Sequence, residues 1–106
     1  MFLSDLQRHA EARSLLRKTI PVARRVLGDN TETTFRMRLH YEKVLYLLPG
    51  ATLDDLREVV TTLAVLLMTA RRVFGAAHPL TVDIESDLRD VRVALRAREA
   101  PPSVNR

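Results

Sequence analysis

The chain has 106 residues, a formal net charge of +4, 46% hydrophobic residues, three glycines, five prolines and no cysteine. That length suits one domain with a small core, and the missing cysteine excludes a disulfide framework and thiolate metal sites. Met1–Arg8 carries no basic stretch followed by an apolar one, and no apolar run nears the roughly 20 residues of a bilayer span. The expectation is an intracellular protein, soluble or peripheral to a complex, with no transmembrane segment and no organelle indicated.

Scarce helix breakers predict few, long elements. The first helix is expected over 4–27, with Ser4 or Asp5 as N-cap, Gly28 as the stop and a kink or break at Pro21. A second runs from Thr31 to Leu48, ended by Pro49-Gly50. A third opens at Thr52, with Asp55 three residues on as the acidic partner of a capping box, and runs to Phe74 before Gly75. The fourth begins at Pro79 and continues to about Arg98. Residues 100–106 read as a disordered tail, leaving a two-repeat domain over 1–99. Carboxylates at the starts of helices three and four (Asp54, Asp55, Glu58; Asp83, Glu85, Asp87) and arginines at their ends (Arg71, Arg72; Arg96, Arg98) complement the helix dipoles. Most charges therefore have a structural role without an active site.

An offset of 47 residues lays the chain on itself. Ala23-Arg24-Arg25-Val26-Leu27-Gly28 falls on Ala70-Arg71-Arg72-Val73-Phe74-Gly75, and Leu6, Leu16 and Ile20 fall on Leu53, Leu63 and Leu67. Downstream, Thr34, Met37, Tyr41, Val44 and Leu48 fall on Thr81, Ile84, Leu88, Val91 and Leu95, an apolar stripe at helical spacing. The fold class is all-α: two helix–turn–helix repeats, 4–48 and 52–98, forming a short α-solenoid or a compact four-helix array.

The turn Gly75-Ala76-Ala77-His78-Pro79-Leu80-Thr81 resembles the G-x-x-H-P-x-T turn of tetratricopeptide-like repeats of the kinesin-light-chain type. Gly28-Asp29-Asn30-Thr31-Glu32-Thr33-Thr34 keeps the glycine and the last threonine but lacks the His-Pro pair. The resemblance covers most of 15–98 and implies a helical-repeat scaffold that binds other proteins. The 47-residue period is longer than that family's usual one and sits at the long end of HEAT and armadillo repeats, which stay a lesser alternative.

No chemistry stands out. His78 reads as a cap before Pro79, and His40 has no His or carboxylate at helical i, i+4 spacing. Ser4, Ser14, Ser86 and Ser103 lie in no nucleophile motif, and the glycines are too far apart for a phosphate loop. The expectation is no catalytic residue, no metal and no cofactor, although a pocket holding a histidine beside a carboxylate would reopen the catalytic reading.

Two features point to binding. Helix three is apolar nearly all round over Leu63–Met68: beyond its core stripe lie Val59, Val65, Leu66 and Met68, and Leu47 and Leu48 extend the tendency from helix two. This describes either the central helix of a compact packing or a face contacting another chain. Two repeats are also fewer than a free-standing array generally needs, which favours closure, self-pairing or docking on a larger partner. Residues 1–28 hold six cations against two anions, and Arg13, Arg17, Lys18, Arg24 and Arg25 would steer an acidic partner. The expected partner is another protein or a second copy. The alternative is a nucleic-acid or anionic-membrane surface binder through the basic first helix, weakened because no aromatics alternate with its arginines.

Overall fold

A computed structural model describes the backbone of residues 2–100 and side chains from Gln7 onward. It contains four helices: α1 (Phe2–Leu27), α2 (Glu32–Leu47), α3 (Leu53–Val73) and α4 (Pro79–Glu99). The chain is elongated, 55 × 33 × 21 Å, as expected when hairpins stack side by side. α1 pairs with α2 and α3 with α4, and α2 also lies against both α3 and α4.

Local chemistry sets most ends. The Thr52 N–H donates to Asp55 Oδ2 at 2.9 Å while the Asp55 N–H donates to Thr52 Oγ1 at 3.0 Å, completing the expected capping box. These hydrogen bonds hold the Asp55 carboxyl below the usual carboxylate range. His78 caps α4, its Nδ1 accepting from the Leu80 N–H at 3.0 Å ahead of Pro79. Gly28 and Gly75 hold φ of +99° and +95°, the left-handed conformation that ends a helix and reverses the chain.

Two expectations about α1 are corrected. The helix is already running at Phe2, so Ser4 and Asp5 lie within it rather than at its N-terminal boundary. Of the kink or break expected at Pro21, the break does not occur, since the helix runs on through that residue. Pro21 is exposed, so the carbonyl that loses its N–H partner sits on the solvent side of the helix, where water can replace it. In the expected tail, Ala100 is the C-cap of α4, and 101–106 lie outside the described residues.

The repeat is visible in matched burial. Ala23 and Ala70, which the register superposes, are both buried. Thr34 and Thr81 are both buried, with hydroxyls donating to the carbonyl of Gly28 at 2.9 Å and of Ala70 at 3.4 Å. The halves differ in coverage. The core gathers Phe35 and Leu39 of α2, Leu56, Val59, Leu63, Leu66, Leu67 and Ala70 of α3, and Leu80, Ile84, Leu88 and Val91 of α4. Among the described side chains of α1 only Ala23 is buried, whereas α3 is covered from two sides.

Candidate interaction surfaces

Of the six apolar residues expected to face a partner, Val59 and Leu66 belong to the chain's own core, a correction to their placement. Both share a helical face with Thr62, which lines a groove with α1 and α2, so an apolar residue there serves the internal repeat contact. Val65 and Met68 do stand on the surface, 56% and 69% exposed. Leu47 is also exposed, and Leu48 is half-buried in a cleft with Arg13, Leu45 and Asp55 at the α2–α3 corner. That corner is distant from Met68: Leu53 to Met68 is fifteen residues of helix, about 22 Å at the α-helical rise. The six therefore do not form one patch.

The basic residues of α1 sort into two stripes. Arg13, Arg17 and Arg24, spaced by four and seven, share one face, and Lys18 and Arg25 lie on the next. Arg24 is engaged by Asp29 at 2.7 Å, and the guanidinium holds that carboxyl below its ordinary range. Arg17 lines a groove of about 250 Å³ with Ile20 and Pro21 of α1, Arg38, Tyr41 and Glu42 of α2, and Thr62 of α3.

Glu42 is an outlier in that groove. It is 7% exposed, and its Oε1 has no hydrogen-bond partner among the described residues. Burial first, and then the Glu58 carboxylate, push its pKa up to about 7 against the pull of Arg38.

A second, larger groove of about 440 Å³ runs between α3 and α4. Leu67 and Leu88 form its floor, Met68 and Val93 its exposed apolar walls, and Arg71, Arg89, Arg92 and Arg96 its rim. Arg71 is paired with Glu85 at 3.0 Å. Among the described residues Arg89, Arg92 and Arg96 enter no ion pair. The sequence reading singled out Met68 but missed this groove, because it forms only when the two helices are paired.

A third groove, between α2 and α4, brings His40 beside Asp83, Ser86, Asp87 and Asp90. This is the histidine-with-carboxylate combination that could support acid–base chemistry. No hydrogen bond links His40, Ser86 and Asp87 among the described residues, so the base–orienter contact of a nucleophilic site is missing. Asp87 is buried, which raises its pKa against the pull of Lys43 at 4.0 Å, and the pair reads as a tie between the two helices. No group of three or more His, Asp or Glu side chains among the described residues could hold a metal ion.

The fold and these grooves define an all-α helical-repeat array with grooves between its paired helices. A family model for the tetratricopeptide repeat matches residues 1–31, which span α1 and the turn after it. This supports a tetratricopeptide-like repeat protein; such repeats generally mediate protein–protein interaction and are typically non-enzymatic. No curated protein and no solved structure matches the chain. Among the described residues no helix is long and apolar enough to cross a membrane.

Proposed function

We infer that the chain is a protein-interaction module, an adaptor or structural subunit that contributes a short repeat surface to a larger assembly. The observation that carries this reading is the exposure of Val65 and Met68 on α3, whose other large apolar side chains, Val73 apart, are buried or half-buried. Large apolar side chains left outside a finished core are where a second protein gains most from desolvation. Leu47 and Leu48 add a separate apolar point at the α2–α3 corner. Arg13, Arg17, Lys18 and Arg25 give the first helix a positive field that speeds encounter with an acidic partner, and Arg24 adds less because Asp29 neutralises it. The turn Gly75–Thr81, with His78 capping and Thr81 buried, supports repeats of the kinesin-light-chain type.

The test is a comparative capture. Immobilised chain and its Val65→Asp/Met68→Asp variant are exposed to extract from cells that express the protein, and retained proteins are quantified. The reading expects a defined partner held by the parent and lost from the variant, with both showing the same circular dichroism melt. Retention indifferent to both substitutions would overturn it.

A further inference from the structure

The two hairpins present the same groove in two states. Under the 47-residue register, Arg17, Ile20 and Pro21 fall on Ala64, Leu67 and Met68, and Arg38, Tyr41 and Glu42 fall on Glu85, Leu88 and Arg89. The first set lines the α1/α2 groove and every member of the second lines the α3/α4 groove. The first groove is flanked by a helix: α3 lies along α2 and sets Thr62 into it. Among the described residues the second has no such helix. At the last of the register pairs, Glu42 is closed off from water while its counterpart Arg89 is exposed. The volumes differ too, at about 250 Å³ beside α3 and about 440 Å³ in the open groove.

We propose that the α3/α4 groove seats an amphipathic helix of a partner protein with acidic flanks, lying along α4 as α3 lies along α2. Glu85 to Arg96 spans eleven residues of α4, about 16 Å, the length of three helical turns. The floor of Leu67 and Leu88 with the walls of Met68 and Val93 takes an apolar stripe at i, i+3, i+4 and i+7. The rim decides the sign. Arg89, Arg92 and Arg96 lie on one side of the groove with no carboxylate partner among the described residues, so glutamates flanking the stripe would meet them as charge-assisted pairs. A second copy docking through α1 is opposed by the same rim, because α1 is the chain's most basic helix. No aromatic ring lines the groove to stack on a base, and its floor is apolar, which disfavours a nucleic-acid strand.

This proposal rests on the interaction-module reading and adds to it the site and the partner's chemistry. The experiment is fluorescence anisotropy with the full chain and three labelled probes: a synthetic amphipathic helix peptide with Leu on one face and Glu on its flanks, the same peptide with Lys for Glu, and a single-stranded DNA oligonucleotide. The Glu-flanked peptide is expected to bind at least about tenfold tighter than the other two. Arg89→Glu/Arg92→Glu and Val93→Asp are each expected to weaken it by about tenfold or more, and Arg13→Glu/Arg17→Glu to change it far less. All the substituted positions are exposed, and circular dichroism melts check that each variant folds.

Equal binding of the Lys-flanked peptide, tighter binding of the oligonucleotide, or indifference to the α4 substitutions overturns the proposal. A dimer in light scattering that Val93→Asp dissolves overturns it in favour of self-stacking. Absence of peptide binding beside partner capture that depends on Val65 and Met68 overturns the groove alone and leaves the interaction module standing.

Discussion

Phe35, in the first turn of α2, meets Phe74, the C-cap of α3, edge to face with ring centroids 5.2 Å apart and planes at 89°. The pair joins the opening of one hairpin's second helix to the close of the next hairpin's first, and His78 packs on the outer ring with centroids 5.1 Å apart. Phe35 is fully buried and Phe74 half-buried, so the contact links the inter-repeat core to the α3–α4 turn.

Such a pair contributes about 0.5–1.5 kcal/mol beyond the area it buries. Phe35→Leu and Phe74→Leu keep the sites apolar, so a double-mutant cycle on urea midpoints isolates the ring contact. The expected coupling is about 1 kcal/mol, with Phe35→Leu costing more than Phe74→Leu because it is the more buried. Strictly additive substitutions would show that the rings are merely neighbours.

Glu42 makes the fold sensitive to pH. Its native pKa of about 7 lies above the 4.5 of an ordinary glutamate, so between those values the folded chain holds a proton that the unfolded chain has released. Stability is then greatest below the unfolded value and falls as pH climbs to about 7. The carboxylate that forms at higher pH is buried, with Oε1 unpartnered and Glu58 repelling it. Glu42→Gln is expected to change little at acid pH and to raise stability at about pH 8 by on the order of 2–3 kcal/mol, flattening the profile. Denaturant melts across this range measure it; a parallel profile for the variant would place the sensitivity elsewhere.

Gly28 and Gly75 offer a substitution whose cost is purely conformational. At Gly75 an added methyl meets nothing within 4 Å, and at Gly28 only Thr31 Cγ2 at 3.7 Å, an ordinary contact. Each φ is positive, where a side chain strains the backbone. Gly28→Ala and Gly75→Ala are each expected to cost about 1 kcal/mol, and Asn, which tolerates this region better, to cost less at both. Thermal melts give the order; alanine equal to glycine at either turn would contradict it.

Helix limits were legible because caps are local. The Thr52–Asp55 box, the glycine stops and the His78-Pro79 start each depend on residues within a few positions. Burial was legible only where one neighbour determines it. Val59, Val65, Leu66 and Met68 look alike in the sequence, and only the placement of α2 separates the two buried from the two exposed. The α3/α4 groove was hidden for the same reason: its apolar floor and arginine rim come from two helices read separately. On α1 the expectation was a charged helix, yet Leu15, Val22 and Val26 are also exposed, at helical spacing on one face. Their register partners in α3 are Thr62, Thr69 and Val73, of which Thr62 faces the preceding hairpin. An exposed apolar stripe was not foreseen there, because its exposure depends on the helix that does not cover it.

That uneven coverage predicts how the chain opens. α1 packs on α2 alone and buries only Ala23 among its described side chains, whereas α3 buries six residues and is held by α2 and α4. Ion pairs reinforce the second hairpin: Arg57 reaches Glu99 at 3.1 Å and Arg71 reaches Glu85 at 3.0 Å, and the Arg98 guanidinium donates to the Ala51 carbonyl at 2.9 Å. Local opening free energies follow buried apolar contact, so α1 should open well before the global transition. Hydrogen exchange read by mass spectrometry is expected to show α1 amides exchanging at least about tenfold faster than those at the centre of α3, with α4 close to α3. Leu56→Ala, deep in α3, should accelerate exchange in α3 and α4 together, whereas Leu15→Ala, on the uncovered face of α1, should leave both unchanged. Uniform exchange across all four helices would mean that the two hairpins unfold as one unit despite their unequal cores.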